Sequence, residues 1–570
     1  MQDSKQGPQF PPKTRQSSRI SWLLSSVVVV LVIARVSLYI GEKSEYTLCS
    51  ETNRIYTVDE AQPNAQCIYI SGDRITDIGS SADIRSRRTT HWVSKIVFPT
   101  RNVRYIDPSS IIVPGLADAH AHLLAQGKKM QLQLDGSNSI QEVIERIKVY
   151  ILSHPDVHAN RTVFIEGMGW DQTKWPGAAF PTAADLERDP LLRGRPIVLS
   201  RVDVHATWVS ERVLELMAPI PPDSEIEGGS VIRDASGKPT GIFVDNAMVL
   251  IPSPPWTPEK YLDFFHTAVK EALKYGLTSV HDAATDPDAV LFFKGSMNCL
   301  QGGKDGKLPI RLYLMAVPFS ENFTDDWQPS RIERLTNYGA HGRLNLRGVK
   351  LFTDGALGSW GAALLAPYSD KPDTRGIMRS SGETMAELIR SAWQAELQVN
   401  VHCIGDRANK VVLDVFEDIL EGKGEATKLD VSKTSDMWYA ETRLGPERIK
   451  GAYAYRTLLE ASPNNVLPLG SDFPVEGVNP LLGFYAAVSR LSIDGTSPHG
   501  DGGWFPDERL TQRELGSLSI GKKADFVIMD RDIMTVNVSE ILGTRVTATV
   551  IDGKVAYGSI GTKKSWWSPF

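Results

Sequence analysis

Two histidines separated by a single residue, His120 and His122, end a short apolar segment that begins at Val113. In an extended strand, residues i and i+2 project to the same side, so the two imidazoles could bind one metal ion. Other polar residues end or follow later apolar runs in the same way: His281, Asp282, Lys350, His402 and Asp472. A lone His-x-His pair is typical of ordinary loop histidines, but the repetition of the pattern indicates a metal site.

Such a site needs elements that bring strand ends together. Short apolar runs at 277–281, 347–352 and 397–402 are separated by amphipathic helical stretches such as 258–275. Strand and helix alternation over this length predicts a parallel α/β fold, most simply a (β/α)8 barrel, in which strand C-termini converge on one active face. A segment at about 165–260, rich in Trp, Pro and Gly, is expected to be an insertion that could cover this face.

The two ends of the chain have a different pattern from the middle. Residues 45–110 and 516–560 contain short alternating strands and turns, which predicts a small β-sandwich built from both chain ends. Cys49 and Cys67 flank two of these strands; they could form a disulfide or remain two buried thiols. The barrel is then expected to occupy residues 111–515.

The first forty residues predict a membrane location. Residues 1–19 form a basic, low-complexity leader, and residues 20–40 are apolar apart from one arginine. A spanning helix needs about 20 residues, which favours a single-pass transmembrane signal-anchor with the catalytic domain lumenal or extracellular. The alternative is a cleaved signal peptide and a secreted protein. Asn160, Asn322 and Asn537 begin N-glycosylation motifs that fit an exported glycoprotein.

Composition narrows the class of partner. The 570 residues carry a formal net charge of −6 at pH 7, and no basic stripe interrupts the globular composition. Because nucleic-acid-binding proteins concentrate Lys and Arg on one surface, we expect no nucleic acid partner.

Five segments occur in a characteristic order: residues 113–122, 349–359, 401–406, 469–474 and 521–528. Together they resemble the amidohydrolase superfamily, specifically the amidohydrolase-3 branch that includes N-substituted formamide deformylase-like proteins. The resemblance implies a metal-dependent (β/α)8 barrel with a β-sandwich from both chain ends. It also implies hydrolysis of carbon–nitrogen bonds other than peptide bonds, in a small-molecule, amide-like substrate. It leaves open whether the protein is a homo-oligomer.

The resemblance carries ligand roles to particular positions. His120 and His122 match ligands from the first barrel strand, and His402 matches the ligand from the fifth. Lys350 matches a lysine that the family can use, when carboxylated, to bridge two metal ions. The alternative is a structural lysine paired with Asp354.

Asp472 matches the aspartate of the final barrel strand, which contacts the metal and serves as general base. Zinc, as one or two ions, is the expected metal because imidazoles and carboxylates bind it and zinc lowers the pKa of a bound water to about 7. Asp472 could then orient the water and pass its proton to the leaving nitrogen.

Four residues are candidates for contacting the substrate. Trp170 and Asp171 resemble pocket-lining residues of the family. His281 could face the substrate or be a hydrogen-bonded histidine at a strand end. His205 could touch the substrate or pack within the insertion.

The sequence departs from the family pattern after His402. The family has a further metal-binding histidine at the end of strand six, whereas this chain has no histidine between His402 and His499. From His402 to Asp472 is 70 residues, but three strand–helix steps of a barrel should take about 90. We therefore expect an incomplete barrel, with the shortfall near residues 420–435. Either the chain is a truncated product of an active enzyme, or it is a catalytically inactive, membrane-tethered binding protein; the intact motifs on both sides favour the first.

Overall fold

The computed structural model describes residues 45–89, 103–299, 308–317, 329–339, 341–421, 437–462, 467–510 and 518–563. The strands are β1 (Glu45–Cys49), β2 (Ile55–Tyr56), β3 (Asn64–Ala65), β4 (Cys67–Ser71), β5 (Arg74–Gly79), β6 (Val103–Tyr105), β7 (Ile111–Pro114), β8 (Leu116–Ala121), β9 (Ile165–Trp170), β10 (Ile197–Arg201), β11 (Ala206–Val209), β12 (Gly229–Arg233), β13 (Pro239–Asp245), β14 (Leu277–Thr285), β15 (Arg311–Ala316), β16 (Leu335–Tyr338), β17 (Leu344–Phe352), β18 (Gln398–His402), β19 (Phe526–Met529), β20 (Val546–Ile551), β21 (Lys554–Gly558) and β22 (Thr562–Lys563). The α-helices are α1 (Ser81–Thr89), α2 (Leu123–Lys129), α3 (Ile140–Ser153), α4 (Pro155–Ala159), α5 (Ala183–Glu187), α6 (Glu211–Met217), α7 (Pro258–Lys274), α8 (Pro287–Cys299), α9 (Gly382–Gln394), α10 (Asp406–Leu420), α11 (Met437–Arg448), α12 (Tyr455–Ala461) and α13 (Pro480–Ser489).

Strands from both ends of the chain build two sheets that pack together. Their strand orders are β22–β6–β1–β4–β5 and β21–β20–β19–β7–β2–β3. Alternating residues such as Ile68 and Phe526 meet in a common apolar core. Cys49 and Cys67, at paired positions of β1 and β4, form a disulfide. The sequence had left this pairing open.

Five parallel strands form the sheet that carries most of the predicted site residues. Their order is β8–β14–β15–β17–β18, and β16 pairs antiparallel with the first half of β17. Phe265 of α7 shares an apolar core with Val280 and Leu312 of the sheet. Phe416 of α10 belongs to a second apolar cluster together with Leu351 of β17. This cover of helices explains why the strands read as short, continuous apolar runs.

The sheet does not close into a barrel within the described ranges, which agrees with the incomplete barrel expected from the short interval after His402. After β18 the described chain runs through α10, α11 and α12, and residues 467–473 then lie beside β8. The Ala119 N–H donates to the Leu469 carbonyl there, at 3.1 Å. Helices occupy the described part of this short interval, which leaves too few residues for two further strand–helix steps. We expected the shortfall near residues 420–435, and of these the structure describes only 420 and 421.

The insertion has a sheet of its own, in the order β12–β13–β11–β10–β9. Its β9 and β10 are parallel, and the other pairs are antiparallel. Trp170 and Trp208 are fully buried in its core, with their ring centroids 6.3 Å apart in an edge-on arrangement.

The predicted membrane location is contradicted. No helix in the described part of the chain is both long enough and apolar enough to cross a bilayer. Residues 20–40, to which the sequence assigned the anchor, lie outside the described residues. We withdraw the membrane-anchored, lumenal or extracellular assignment, and with it the expectation of glycosylation that depended on it.

Candidate metal centre

His120, His122 and Asp472 bring their metal-binding atoms together. The Nε2 of His122 lies 2.9 Å from Asp472 Oδ1, and the Nε2 of His120 lies 3.5 Å from the same oxygen. One ligand atom of each residue falls within 4.8 Å of the other two. The side chains keep between 11 and 22% of their surface exposed, so solvent and a small molecule can reach them.

The backbone holds Asp472 against the first strand of the sheet. Its N–H donates to the carbonyl of His120 at 2.7 Å, and its φ of +56° is uncommon for a residue other than glycine. Gly470 makes the close approach possible, because a Cβ there would lie 2.6 Å from the His120 nitrogen. The conformation and the glycine together bring the Asp472 carboxylate to the two imidazoles.

Asp118, which sequence reasoning missed, fastens this segment to β8. Its carboxylate accepts from the Ser471 hydroxyl at 2.6 Å and from the backbone N–H groups of Ser471 and His120, each at 3.1 Å. Burial raises the pKa of Asp118 to about 6, against the lowering effect of these hydrogen bonds. The signal was present: Asp118 precedes His120 by two residues and so shares its side of the strand.

Lys350 of β17 contacts the cluster, whereas His402 at the end of β18 is not one of the three residues whose ligand atoms converge. The Lys350 ammonium donates to His120 Nε2 at 3.1 Å. His402 Nε2 lies 3.4 Å from the carbonyl of Gly355 and 3.7 Å from Asp354 Oδ1. The two strands are in register, with Lys350 opposite Asn400. The structure therefore puts both predicted ligands at the same end of the sheet as the three-residue cluster.

Asp354 organises the loop after β17. Its carboxylate accepts backbone N–H groups from Ala363 and Gly405, both at 2.8 Å, and from Ile404 at 3.0 Å. Burial raises the pKa of Asp354 to about 7, although these bonds lower it. The carboxylate thus ties the loop after β17 to the loop after β18.

The insertion adds a histidine to this end of the sheet. The ring of His205 lies against the ring of His402, with centroids 4.9 Å apart and planes tilted by 38°. Its Nδ1 lies 2.6 Å from Oδ1 of Asp245, which is buried at the end of β13. Nothing in the sequence pointed to Asp245, because 40 residues separate it from His205 and only the pairing of β11 with β13 joins them.

His281 and its neighbour Asp282 make contacts within the central sheet and with the start of α2. The His281 ring stacks on Tyr313 of β15 with centroids 4.6 Å apart, and burial lowers the pKa of His281. Asp282 accepts from the Leu123 N–H at 2.9 Å and from the Thr285 hydroxyl at 2.7 Å. These contacts fix the start of α2 and the end of β14.

Trp170 and Asp171 make contacts within the insertion. The Trp170 indole N–H donates to the carbonyl of Leu199 at 2.8 Å. Asp171 accepts from the buried Arg201 at 2.6 Å and from the Thr173 hydroxyl at 2.7 Å. The fully buried Trp170 and the partly exposed Asp171 thus both have partners within the insertion.

The donor set of the three-residue cluster fits a divalent metal ion. Two imidazoles and a carboxylate are the combination found in catalytic zinc sites, which keep one position open for water or substrate. Asp118 accepts the backbone N–H groups of His120 and Ser471, so it holds together the two segments that carry the cluster.

Comparison with known proteins agrees with this chemistry. The sequence profile of the amidohydrolase family matches residues 110–429 and 506–557. Protein LONG AFTER FAR-RED 3 of Arabidopsis thaliana is 29% identical over 88% of this chain and 90% of its own length. N-substituted formamide deformylase of Arthrobacter pascens is 22% identical over 89% of this chain and 98% of its own length.

Solved structures give the same result. An uncharacterized metal-dependent hydrolase from Pyrococcus horikoshii has a TM-score of 0.64 and 25% identity, and the match covers 87% of this chain and 99% of that one. The family match extends over well more than half of the 570 residues. The chain therefore belongs to the amidohydrolase family, and it is a hydrolase that acts on carbon–nitrogen bonds other than peptide bonds.

Proposed function

We propose that the protein hydrolyses an amide bond in a small molecule, using a zinc ion held by His120, His122 and Asp472. The observation that carries the proposal is the convergence of the three ligand atoms within 4.8 Å of one another. N-substituted formamides are the substrates we would test first, because one relative is named for removing the formyl group from them.

The metal ion and Asp472 would have different roles in the hydrolysis. When bound, zinc makes water a nucleophile at neutral pH by lowering its pKa to about 7, and it polarises a carbonyl. Asp472 Oδ1, within 3.5 Å of both imidazoles, is placed to accept the proton of the attacking water. The same carboxyl group then delivers that proton to the leaving nitrogen. Partial burial raises the strength of these interactions by excluding bulk water.

Lys350 and His402 would add two ligands to the metal centre. We propose His402 as a further metal ligand and Lys350, after carboxylation, as a bridge to a second ion. In support, Lys350 Nζ lies 3.1 Å from His120 Nε2 and is buried, which keeps the amine next to the cluster.

The open sheet favours a second candidate function. A barrel that lacks strands can still keep its first-strand ligands but hold metal weakly, and such a chain would act as a binding protein without turnover. The described part of the chain closes no barrel after β18, which is the observation behind this alternative.

Zinc analysis separates the two functions. We expect purified protein to contain about one or two zinc ions per chain and to hydrolyse an N-substituted formamide. The His120→Ala/His122→Ala variant should lose both properties, whereas His158→Ala, an exposed histidine of α4, should keep them. Zinc well below one per chain together with no turnover in the unaltered protein would contradict the enzyme function and favour the binding protein.

A further inference from the structure

The insertion contacts His402, which we have proposed as a metal ligand, through His205, and His205 is paired with Asp245. They lie at facing ends of β11 and β13, where the Asp245 N–H donates to the His205 carbonyl at 3.1 Å. Their side chains meet as well, with Nδ1 of His205 2.6 Å from Oδ1 of Asp245. Both side chains are buried, the carboxylate completely. The position of the His205 ring is therefore fixed by backbone and side chain together.

The Asp245 carboxylate is held in an energetically unfavourable backbone conformation and environment. Asp245 has a φ of +49°, and its Oδ2 is buried without a hydrogen-bond partner among the described residues. It packs against two glycines, Gly355 and Gly361, where a Cβ would lie 2.3 and 2.6 Å from Oδ2. A strained residue with a half-satisfied buried carboxylate costs stability, and such features cluster at functional sites.

The pairing determines which nitrogen of His205 can bind a metal. A carboxylate only accepts hydrogen bonds, so Nδ1 carries the proton and Nε2 keeps its lone pair in the neutral ring. Metal-binding histidines commonly donate their other ring nitrogen to a carboxylate, which fixes the tautomer and makes the ligand more basic. His205 has this arrangement, and no hydrogen bond in the described structure uses its Nε2.

The His205 ring also lies next to another proposed ligand. His205 lies against His402, which we have proposed as a metal ligand, with the ring centroids 4.9 Å apart. The chain has no histidine between His402 and His499 that could come from a sixth strand. His205 therefore places a further imidazole in contact with the His402 ring.

We propose that His205, oriented by Asp245, is a ligand of the metal centre and binds beside His402 through Nε2. The insertion then supplies from outside the sheet the imidazole that the shortened sheet does not. This inference rests on the proposed function, since it assigns a further ligand to the same centre.

Cobalt(II) binding to the metal-free protein tests the inference, with affinity and absorption spectrum as readouts. Asp245→Asn is the main variant, because it keeps the shape of the side chain but can donate to Nδ1 and so move the ring proton to Nε2. Loss of such a supporting carboxylate typically weakens metal binding about 10–100-fold. We expect that loss for Asp245→Asn and a loss at least as large for His205→Gly. Added imidazole should restore cobalt affinity to His205→Gly.

The control is His499→Asn, which removes another histidine–carboxylate pair, His499 with Glu441 at 2.8 Å. It should bind cobalt as the unaltered protein does. Unchanged cobalt affinity in folded Asp245→Asn would overturn the inference, even if turnover fell, because a substrate contact alone would give that result. If the unaltered protein binds no cobalt, the proposed function fails as well. If only His120→Ala weakens binding, the proposed function stands and the role of His205 falls.

Discussion

At the scale of single residues, the candidate centre depends on carboxylates that each position a neighbour. Asp118 fastens Ser471, Asp354 ties two loops together, and Asp245 orients His205. Each of these carboxylates contacts a candidate site residue predicted from the sequence, or a neighbour of one in the chain. Among these three carboxylates, Asp245 lies within hydrogen-bonding distance of a ring nitrogen of a histidine, and loss of a carboxylate in that position typically weakens metal binding about 10–100-fold.

A substitution at Asp472 can distinguish its proposed role as general base from its proposed role as metal ligand. In Asp472→Asn we expect kcat to fall about 10²–10⁴-fold, the usual contribution of a positioned base, because the amide cannot accept the proton. Zinc should be largely retained, because the two histidines remain and the amide oxygen can still occupy the position of the lost carboxylate oxygen. Steady-state kinetics and zinc analysis of the same sample measure both effects. The exposed Asp501→Asn is the matched control, and a normal kcat in Asp472→Asn would refute the assigned role.

The residue types at the centre were predictable, but their supporting partners were not. His120, His122 and Asp472 could be found because short motifs place them at strand ends. Asp245 could not, because its partner His205 is brought to it only by the pairing of two strands of the insertion. Long-range pairing is not encoded in local spacing, so a single sequence leaves it undetermined.

At the scale of elements, a buried ionic cluster joins the terminal sheets to the central sheet. Asp552, in the turn between β20 and β21, contacts Arg343 at 2.8 Å and also Arg311 at the start of β15. Arg311 in turn contacts Asp525, just before β19, at 2.6 Å. Burial by itself would raise the pKa of Asp552, but the two arginines outweigh it and lower that pKa to about 2.

This cluster predicts how stability depends on pH. Since the pKa of Asp552 lies below its ordinary value of 3.8, its contribution is present above about pH 4 and is lost as pH falls towards 2. The shift corresponds to about 2 kcal/mol. Asp552→Asn should therefore lower the free energy of unfolding by about that amount at pH 7 and have a smaller effect near pH 2. Urea denaturation at both values, with the exposed Asp507→Asn as control, measures this; an equal loss at both would contradict it.

At the scale of the whole molecule, the family fold is present, and its central sheet stays open within the described part of the chain. The order of strands from β8 to β18 was predictable from the alternation of apolar runs and helices. The number of strands was harder to predict, because a missing strand–helix unit shows in the sequence only as a short interval between motifs. That interval of 70 residues between His402 and Asp472 did indicate incompleteness, and the helices in its described part agree.

An open sheet should leave β18 less protected than the strands inside it. No residue of β18 is fully buried, whereas most residues of β15 are. In hydrogen exchange monitored by mass spectrometry, we expect amides of residues 398–402 to exchange at least about 10-fold faster than those of 311–316. Peptides from β14, another inner strand, give the reference. Equal protection of β18 and β15 would mean that another part of the chain covers the edge.

The most direct test of the account is zinc titration of metal-free protein while hydrolysis of an N-substituted formamide is followed. We predict no hydrolysis without metal, and a rate that rises with zinc and saturates at about one or two ions per chain. Removing zinc with a chelator should abolish the activity, and adding it back should restore it. Full zinc occupancy with no hydrolysis of any amide tested, or hydrolysis that persists without metal, would contradict the account.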